Sequence, residues 1–160
     1  CFRFKDANYY ICAIINLYAR AVVGYKISRN CSTQLTKGTF KAAYEKRGKP
    51  QNLVFHSDRG GNYISYTYRE YLESLNITQS FSRSGVPYDN AVIESFFSNM
   101  KREELYRTKY RSEKEFKAAV DTYMQFYNNK RPHKNNQYKA PVEWETEYYR
   151  KHAVLSENMG

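Results

Sequence analysis

Short apolar runs open the chain and longer runs with helical spacing close it. Tyr9-Tyr10-Ile11-Cys12-Ala13-Ile14-Ile15 and Ala21-Val22-Val23-Gly24-Tyr25-Lys26-Ile27 are two such short runs, separated by Asn16-Leu17-Tyr18-Ala19-Arg20. That pattern predicts an antiparallel hairpin. Phe2 to Phe4 reads as the end of a preceding strand, joined through the turn-like Lys5-Asp6-Ala7-Asn8. Ser32 or Thr33 can cap a helix running to about Arg47, where Gly48-Lys49-Pro50 stops it. Leu53 to His56 has the look of a buried strand with Asp58 at its carboxyl end, Ser65 to Ser74 of a helix, and Ile77 to Phe81 of a further strand. Ser82-Arg83-Ser84-Gly85-Val86-Pro87 reads as a loop by its Gly and Pro content. Asp89 is a credible N-cap for a helix through about Arg107, and a second helix spans Ser112 to about Asn129. Lys130 to Asn136 breaks it, and Pro141-Val142-Glu143-Trp144 opens a last short helix. Strands followed by helices, with a hairpin in front, predict an α/β fold with a sheet of mixed direction.

Charge narrows the class. The chain has 160 residues, enough for one domain with a real core, and carries 26 Lys and Arg against 16 Asp and Glu for a net charge of +10. Such a surplus favours a polyanionic partner, because Lys and Arg that neutralise phosphates release condensed counterions. The 17 Tyr and 9 Phe serve base stacking as well as core packing. Cys1, Cys12 and Cys31 show no C-x-x-C spacing and His56, His133 and His152 are scattered, which argues against a zinc site and for a reduced, cytoplasmic compartment. The longest apolar stretch, Tyr9 to Ile15, is too short to span a bilayer. The chain begins at Cys1, inside a strand pattern, so an N-terminal cut is expected.

The candidate chemistry rests on two acids separated by 35 residues, Asp58 and Glu94. Acids at the carboxyl ends of strands project into the crevice where α/β sheets bind ligands. Asp58 is placed that way, and Gly60 and Gly61 free the backbone after it. The plain alternative is an Asx-turn at a strand end. On a helix starting near Asp89, Val92, Ile93, Phe96, Phe97 and Met100 form an apolar stripe, and Glu94, Ser98 and Lys101 share a neighbouring face. An exposed helical Glu with a nearby counter-charge is the ordinary reading. Side by side in a basic protein, however, the two acids suit magnesium, which takes oxygen ligands from one or two carboxylates plus substrate phosphates.

Longer words of sequence carry a resemblance. Ala13 to Gly24, His56-Ser57-Asp58-Arg59-Gly60, Ser80 to Ala91, Glu94-Ser95-Phe96-Phe97 and Tyr127-Asn128-Asn129-Lys130-Arg131-Pro132-His133 follow one another in order over nearly the whole chain. Together they resemble the integrase-type catalytic core of bacterial insertion-sequence transposases encoded by two overlapping reading frames. The resemblance implies a DDE recombinase with an RNase H-like α/β fold, related to retroviral integrases. It makes Asp58 and Glu94 the second and third acids of a metal-binding triad, holding Mg²⁺ (or Mn²⁺), two ions in the complete enzyme. It puts the first acid, in a D-x-T word, just upstream of Cys1; Asp6, in the turn beyond that strand, is no replacement. Asn16 stands where relatives usually carry Asp, outside the triad.

The implied reaction is metal-dependent cleavage and strand transfer of DNA by direct transesterification, with no Ser or Tyr nucleophile. Lys101 matches a basic residue thought to contact DNA ends. Arg83, Lys101, Arg102, Arg131 and Lys134, with Arg107, Lys109, Arg111, Lys130 and His133 around them, are the expected phosphate contacts. Residues 1–128 are expected to form the core, truncated within its first strand, and 129–160 a basic extension of it. The expected partners are DNA (transposon ends and target) and further copies of the chain, with no membrane. With one acid missing, the 160 residues are expected to be inactive in cleavage; the alternative is an inactive remnant acting as a DNA-binding or assembly module.

Overall fold

The computed structural model describes residues 1–4, 6–83 and 90–157, with side chains as far as His152. The order is β1 (Phe2–Phe4), β2 (Ala7–Ile15), β3 (Val22–Ser28), α1 (Thr33–Lys46), β4 (Val54–Ser57), α2 (Gly61–Ile64), α3 (Tyr66–Ser74), β5 (Thr78–Phe81), α4 (Ala91–Met100), α5 (Glu113–Asn129) and α6 (Pro141–Glu157). A π-helical turn, Lys101–Leu105, continues α4, and a 3-10 turn, Lys134–Asn136, precedes α6. The chain divides into two compact units, Cys1–Ile14 with Val23–Arg107, and Ile15–Val22 with Thr108–Gly160.

In the first unit β1 pairs antiparallel with β2, Phe2 opposite Tyr9 and Phe4 opposite Ala7, and β3 lies on the other side of β2. β2 therefore starts two residues before the expected Tyr9, because its register with β1 pairs Phe4 with Ala7 and Arg3 with Asn8. β4 and β5 run parallel, Val54 opposite Thr78 and Ser57 opposite Phe81. Ser32 caps α1 by accepting a hydrogen bond from the Leu35 N–H. Gly24 is required where β3 meets that helix, since a Cβ there would lie 2.6 Å from the Ala43 Cβ. Phe40, Tyr44, Phe55, Tyr68, Leu72 and Ile77 form the core between α1, β4 and α3. Phe40 meets Phe55 edge-on at 5.1 Å, a favoured aromatic geometry.

Three departures from the expected elements have physical causes. β4 is half-buried rather than buried: Phe55 and Ser57 face inward while Val54 is 59% exposed, the alternation of a strand covered on one face. α4 ends at Met100 instead of running to Arg107. Met100 and Leu105 are both buried, yet five residues lie far apart around a helix of about 3.6 residues per turn. The wider turn, closed by the Tyr106 N–H on the Lys101 carbonyl at 2.9 Å, brings them to the same side. α6 is long rather than short, for Pro141 opens it and no Gly or Pro interrupts it before Glu157. The one-turn α2 lies outside the expected elements, and the proposed Asp89 cap and loop residues 84–87 lie outside the described residues.

The second unit is built on α5, whose buried Phe116, Val120, Tyr123, Met124 and Tyr127 repeat at helical spacing. Ser112 accepts from the Glu115 N–H at 3.1 Å and Glu115 Oε2 from the Arg111 N–H at 2.7 Å, a reciprocal cap at its start. Within this unit the 16–22 turn is held by side chains distant in sequence. Asn128 accepts from the Val22 N–H and donates to the Val22 carbonyl, both at 2.8 Å, and Asn136 donates to the Ala19 carbonyl at 2.7 Å.

Candidate metal and nucleic-acid site

Asp58 follows β4 directly, and the end of that strand is fixed by polar contacts. The Ser82 N–H donates to the Ser57 carbonyl at 3.0 Å. The His56 ring bridges two hydroxyls of the neighbouring strand and its extension, Nδ1 to Ser80 Oγ at 3.1 Å and Nε2 to Ser82 Oγ at 3.2 Å. Asp58 itself is exposed, and its Oδ1 accepts the Gly60 N–H at 2.9 Å. The Asx-turn of the ordinary reading is therefore present, and it orients the carboxylate without consuming its second oxygen. Gly60 is needed here, as a Cβ would lie 2.9 Å from that same Oδ1. Beneath the turn, burial pushes the Tyr63 phenol well above its ordinary range, with Cys12 and then the Asp58 charge adding to the effect. Tyr63 OH lies 3.9 Å from the Cys12 Sγ and its ring packs on Phe55 and Tyr68.

Glu94 lies in the first turn of α4, where a negative charge is favoured by the helix dipole. Phe96 and Met100 are buried and Val92, Ile93 and Phe97 half-buried, which leaves Glu94 and Ser98 exposed as the apolar stripe predicts. Asp58 and Glu94 belong to the same compact unit, and among the described residues neither is paired with a Lys or Arg. Exposed carboxylates are oxygen donors of the kind a hard cation takes alongside waters or phosphates. Among the described residues no three metal-capable side chains form a group.

The candidate phosphate contacts fall in both units. In the first, Arg83 is exposed just beyond β5, Lys101 is half-buried at the head of the π turn, and Arg102 is exposed and donates to Asn99 Oδ1 at 2.8 Å. In the second, Lys134 is exposed on the 3-10 turn and Arg131 lies over the Tyr127 ring, 5.8 Å from its centroid. Lys109 and Arg111 are exposed there as well, and Arg107 is exposed at the end of the first unit.

The Tyr127-to-His133 motif has a packing role that its resemblance alone did not disclose. Tyr127 is buried, Asn128 clamps Val22, and the His133 ring stands edge-on to Tyr127 at 4.7 Å. Asn16 also has a definite task. Its Oδ1 accepts from the N–H groups of Tyr18 at 2.8 Å and Ala19 at 3.2 Å, as an aspartate would, and its Nδ2 donates to Glu145 at 3.2 Å, which an aspartate cannot do.

Comparison with known proteins agrees with this architecture. An integrase core domain family matches residues 1–87, and a second family of the same description matches residues 75–141. The transposase for insertion sequence element IS904 of Lactococcus lactis is 32% identical over 142 residues, 88% of this chain and 56% of the relative. Transposase InsF for insertion sequence IS3A of Escherichia coli is 36% identical over 125 residues, 78% of this chain and 43% of the relative. The chain thus spans about half the length of these relatives. Among solved structures, the HTLV-2 integrase catalytic core domain in complex with magnesium (trimeric form) superposes with a TM-score of 0.68 at 17% identity, covering 89% of this chain and 88% of the other. The simian T-cell lymphotropic virus intasome superposes with a TM-score of 0.76 at 15% identity, covering 89% of this chain and 50% of that one. Among the described residues no helix is long and apolar enough to cross a membrane.

Proposed function

The chain belongs to the integrase core family, with the RNase H-like fold of the retroviral catalytic cores, and from that membership we propose that it is the catalytic core of an insertion-sequence transposase. Its reaction is metal-dependent cleavage of DNA at transposon ends followed by strand transfer. The observation that carries this reading is the pair Asp58 and Glu94: exposed, free of cationic partners among the described residues, one at the carboxyl end of β4 and one in the first turn of α4 of the same unit.

Asp58, oriented by the Gly60 N–H, and Glu94 would hold Mg²⁺ or Mn²⁺, two ions when the triad is complete. Bound there, the metal supplies activation of the attacking oxygen and stabilisation of the leaving one. By the family pattern the first acid of the triad belongs to the same strand as β1. That strand packs beside the π turn, with the Phe2 ring 6.4 Å from Tyr106, which supports its closeness to the Glu94 helix. Lys101 and Arg102 contact backbone phosphates near the acids; Arg83, Arg131 and Lys134 extend the contact and position DNA without reading its sequence. Residues 1–128 act as the core and 129–160 as its extension. The solved viral core in a trimeric form supports assembly of this chain into a homo-oligomer.

Paramagnetic broadening by Mn²⁺ tests the shared site. One ion is expected to broaden the amide signals around both residue 58 and residue 94, and Asp58→Asn to abolish both; broadening at one acid alone would separate the pair and end the reading. Residues 1–160, presenting two of the three acids, are expected to bind end-sequence DNA without Mg²⁺-dependent processing. Measurable processing by these residues contradicts the three-acid requirement. Binding with no processing, even when the first acid is supplied, would leave the chain as a DNA-binding or assembly module.

A further inference from the structure

The turn that carries Asp58 leads into a weak element. Gly60 is needed for its closeness to the carboxylate and Gly61 follows it, so two of the least constrained residues separate Asp58 from the rest of α2. α2 itself is a single turn of four residues, and a first helical turn fixes many dihedrals for few hydrogen bonds. The Tyr63 and Ile64 N–H groups both donate to the Gly60 carbonyl, at 2.8 and 3.2 Å. Holding that turn in place falls to groups outside it.

Two side chains act at its carbonyl end, where a helix leaves acceptors open. Ser65 Oγ donates to the Asn62 carbonyl at 3.0 Å, and Gln79 Nε2 donates to the Tyr63 carbonyl at 2.9 Å. Ser65 is local. Gln79 reaches in from β5, 16 residues away in sequence, and stands opposite Phe55 in the parallel pairing of β4 with β5. The Phe55 ring packs against the Tyr63 ring at 6.1 Å. Cross-strand neighbours thus hold one residue, Phe55 by its ring and Gln79 by its amide. The phenol end of Tyr63 meets Cys12 Sγ at 3.9 Å.

Hydrogen bonds therefore lead from the sheet to the acid through backbone groups. The Gln79 amide meets the Tyr63 carbonyl, the Tyr63 N–H the Gly60 carbonyl, and the Gly60 N–H Asp58 Oδ1. A neutral amide suits the first place. It donates as a lysine would, without adding a positive charge that competes with a metal ion for the acid.

We propose that Gln79 is a positioning residue for metal binding: by clamping Tyr63 it holds Gly60, and Gly60 fixes the direction of the Asp58 carboxylate. The inference rests on the reading that Asp58 holds the metal, and adds a residue that acts through the turn.

Amide-proton NMR and Mn²⁺ titration of the 160-residue chain test it. Gln79→Met keeps the length of the side chain and lacks the donor. In it the Gly60 amide proton is expected to move upfield with a steeper temperature dependence, the signature of a lost hydrogen bond. Mn²⁺ affinity, read from broadening at residue 58, should fall by roughly 10- to 100-fold, as for other partners that orient a metal ligand. Gln79→Glu keeps the shape with an acceptor in place of the donor. It is expected to act the same way and serves where Gln79→Met does not fold. Asn128→Ala, which loosens the second unit, is the control for stability alone and should leave both readouts at their wild-type values.

A Gly60 signal unchanged in the Gln79 variants overturns the inference. So does a shifted Gly60 signal with unaltered Mn²⁺ affinity. An equal fall in Mn²⁺ affinity in Asn128→Ala also overturns it, by making Gln79 a general stabiliser. Absence of broadening at residue 58 in the wild type ends the metal reading itself, and this role with it.

Discussion

The turn after β2 and the turn after β4 each begin with a short polar side chain that accepts backbone N–H groups, Asn16 in the one and Asp58 in the other. They differ in what becomes of the remaining polar atoms. Around Asn16 nearly everything is consumed: its amide goes to Glu145, the Ala19 carbonyl to Asn136, and both backbone groups of Val22 to Asn128. At Asp58 one oxygen holds Gly60 and the other is left in water, although the strand beneath is tied firmly through His56, Ser80 and Ser82. The same turn chemistry therefore yields a structural lock where the polar atoms are satisfied within the protein. It leaves an open carboxylate, the kind of group the proposed metal site needs, where a rigid base supports it.

The sharpest way to break this comparison is to exchange the open acids. In a protein that also supplies the first acid, Asp58→Asn and Glu94→Gln are each expected to lower strand transfer by more than about 100-fold, since even outer-shell partners of a metal site cost about 10- to 100-fold. Thermal unfolding should barely move, because substitutions at exposed positions usually stay within about 0.5 kcal/mol. A large loss of stability instead would make the acids structural.

Asn128→Ala should do the opposite. It strands a buried N–H and a buried carbonyl of Val22, each costing about 1–3 kcal/mol, for a combined loss of about 2–4 kcal/mol. In a chain of this size that is about 5–15 °C in calorimetric Tm, with the salt dependence of DNA binding unchanged. Unchanged melting would remove the lock.

Asn16→Asp sharpens the contrast further. The turn acceptor is retained, but the donor to Glu145 is replaced by a like charge, and the expected cost is about 1 kcal/mol in urea unfolding. Adding Glu145→Gln should recover most of it in a double-mutant cycle. The smallest effect belongs to the exposed cations. Lys134→Ala is expected to reduce the log–log salt slope of DNA binding by about 1 and to leave the melting temperature unchanged. A slope that does not change would take Lys134 off the DNA path.

Much of the architecture was legible along the chain. Ser32 and Ser112 announce their helices because a cap is a contact over three residues. The stripe from Val92 to Met100 places Glu94 on an exposed face for the same local reason. Where the reading failed, the cause lay elsewhere in the fold. The widened turn at Lys101 answers to the burial of Leu105, and within the Tyr127-to-His133 motif the packing of Tyr127 and the clamp of Asn128 on Val22 could not be read from the motif itself.

What the amino-acid order determined by itself is most of the helices and strands, the Ser32 cap, and the family to which the chain belongs, because each of these is written in neighbouring residues or in a contiguous motif. What only tertiary structure decided is which polar groups are consumed and which stay open. Asn128 meets Val22 across 106 residues and Asn136 meets Ala19 across 117. A hydrogen bond that closes so long a loop leaves no periodicity in the sequence; it exists only once packing has brought its two ends within about 3 Å of each other.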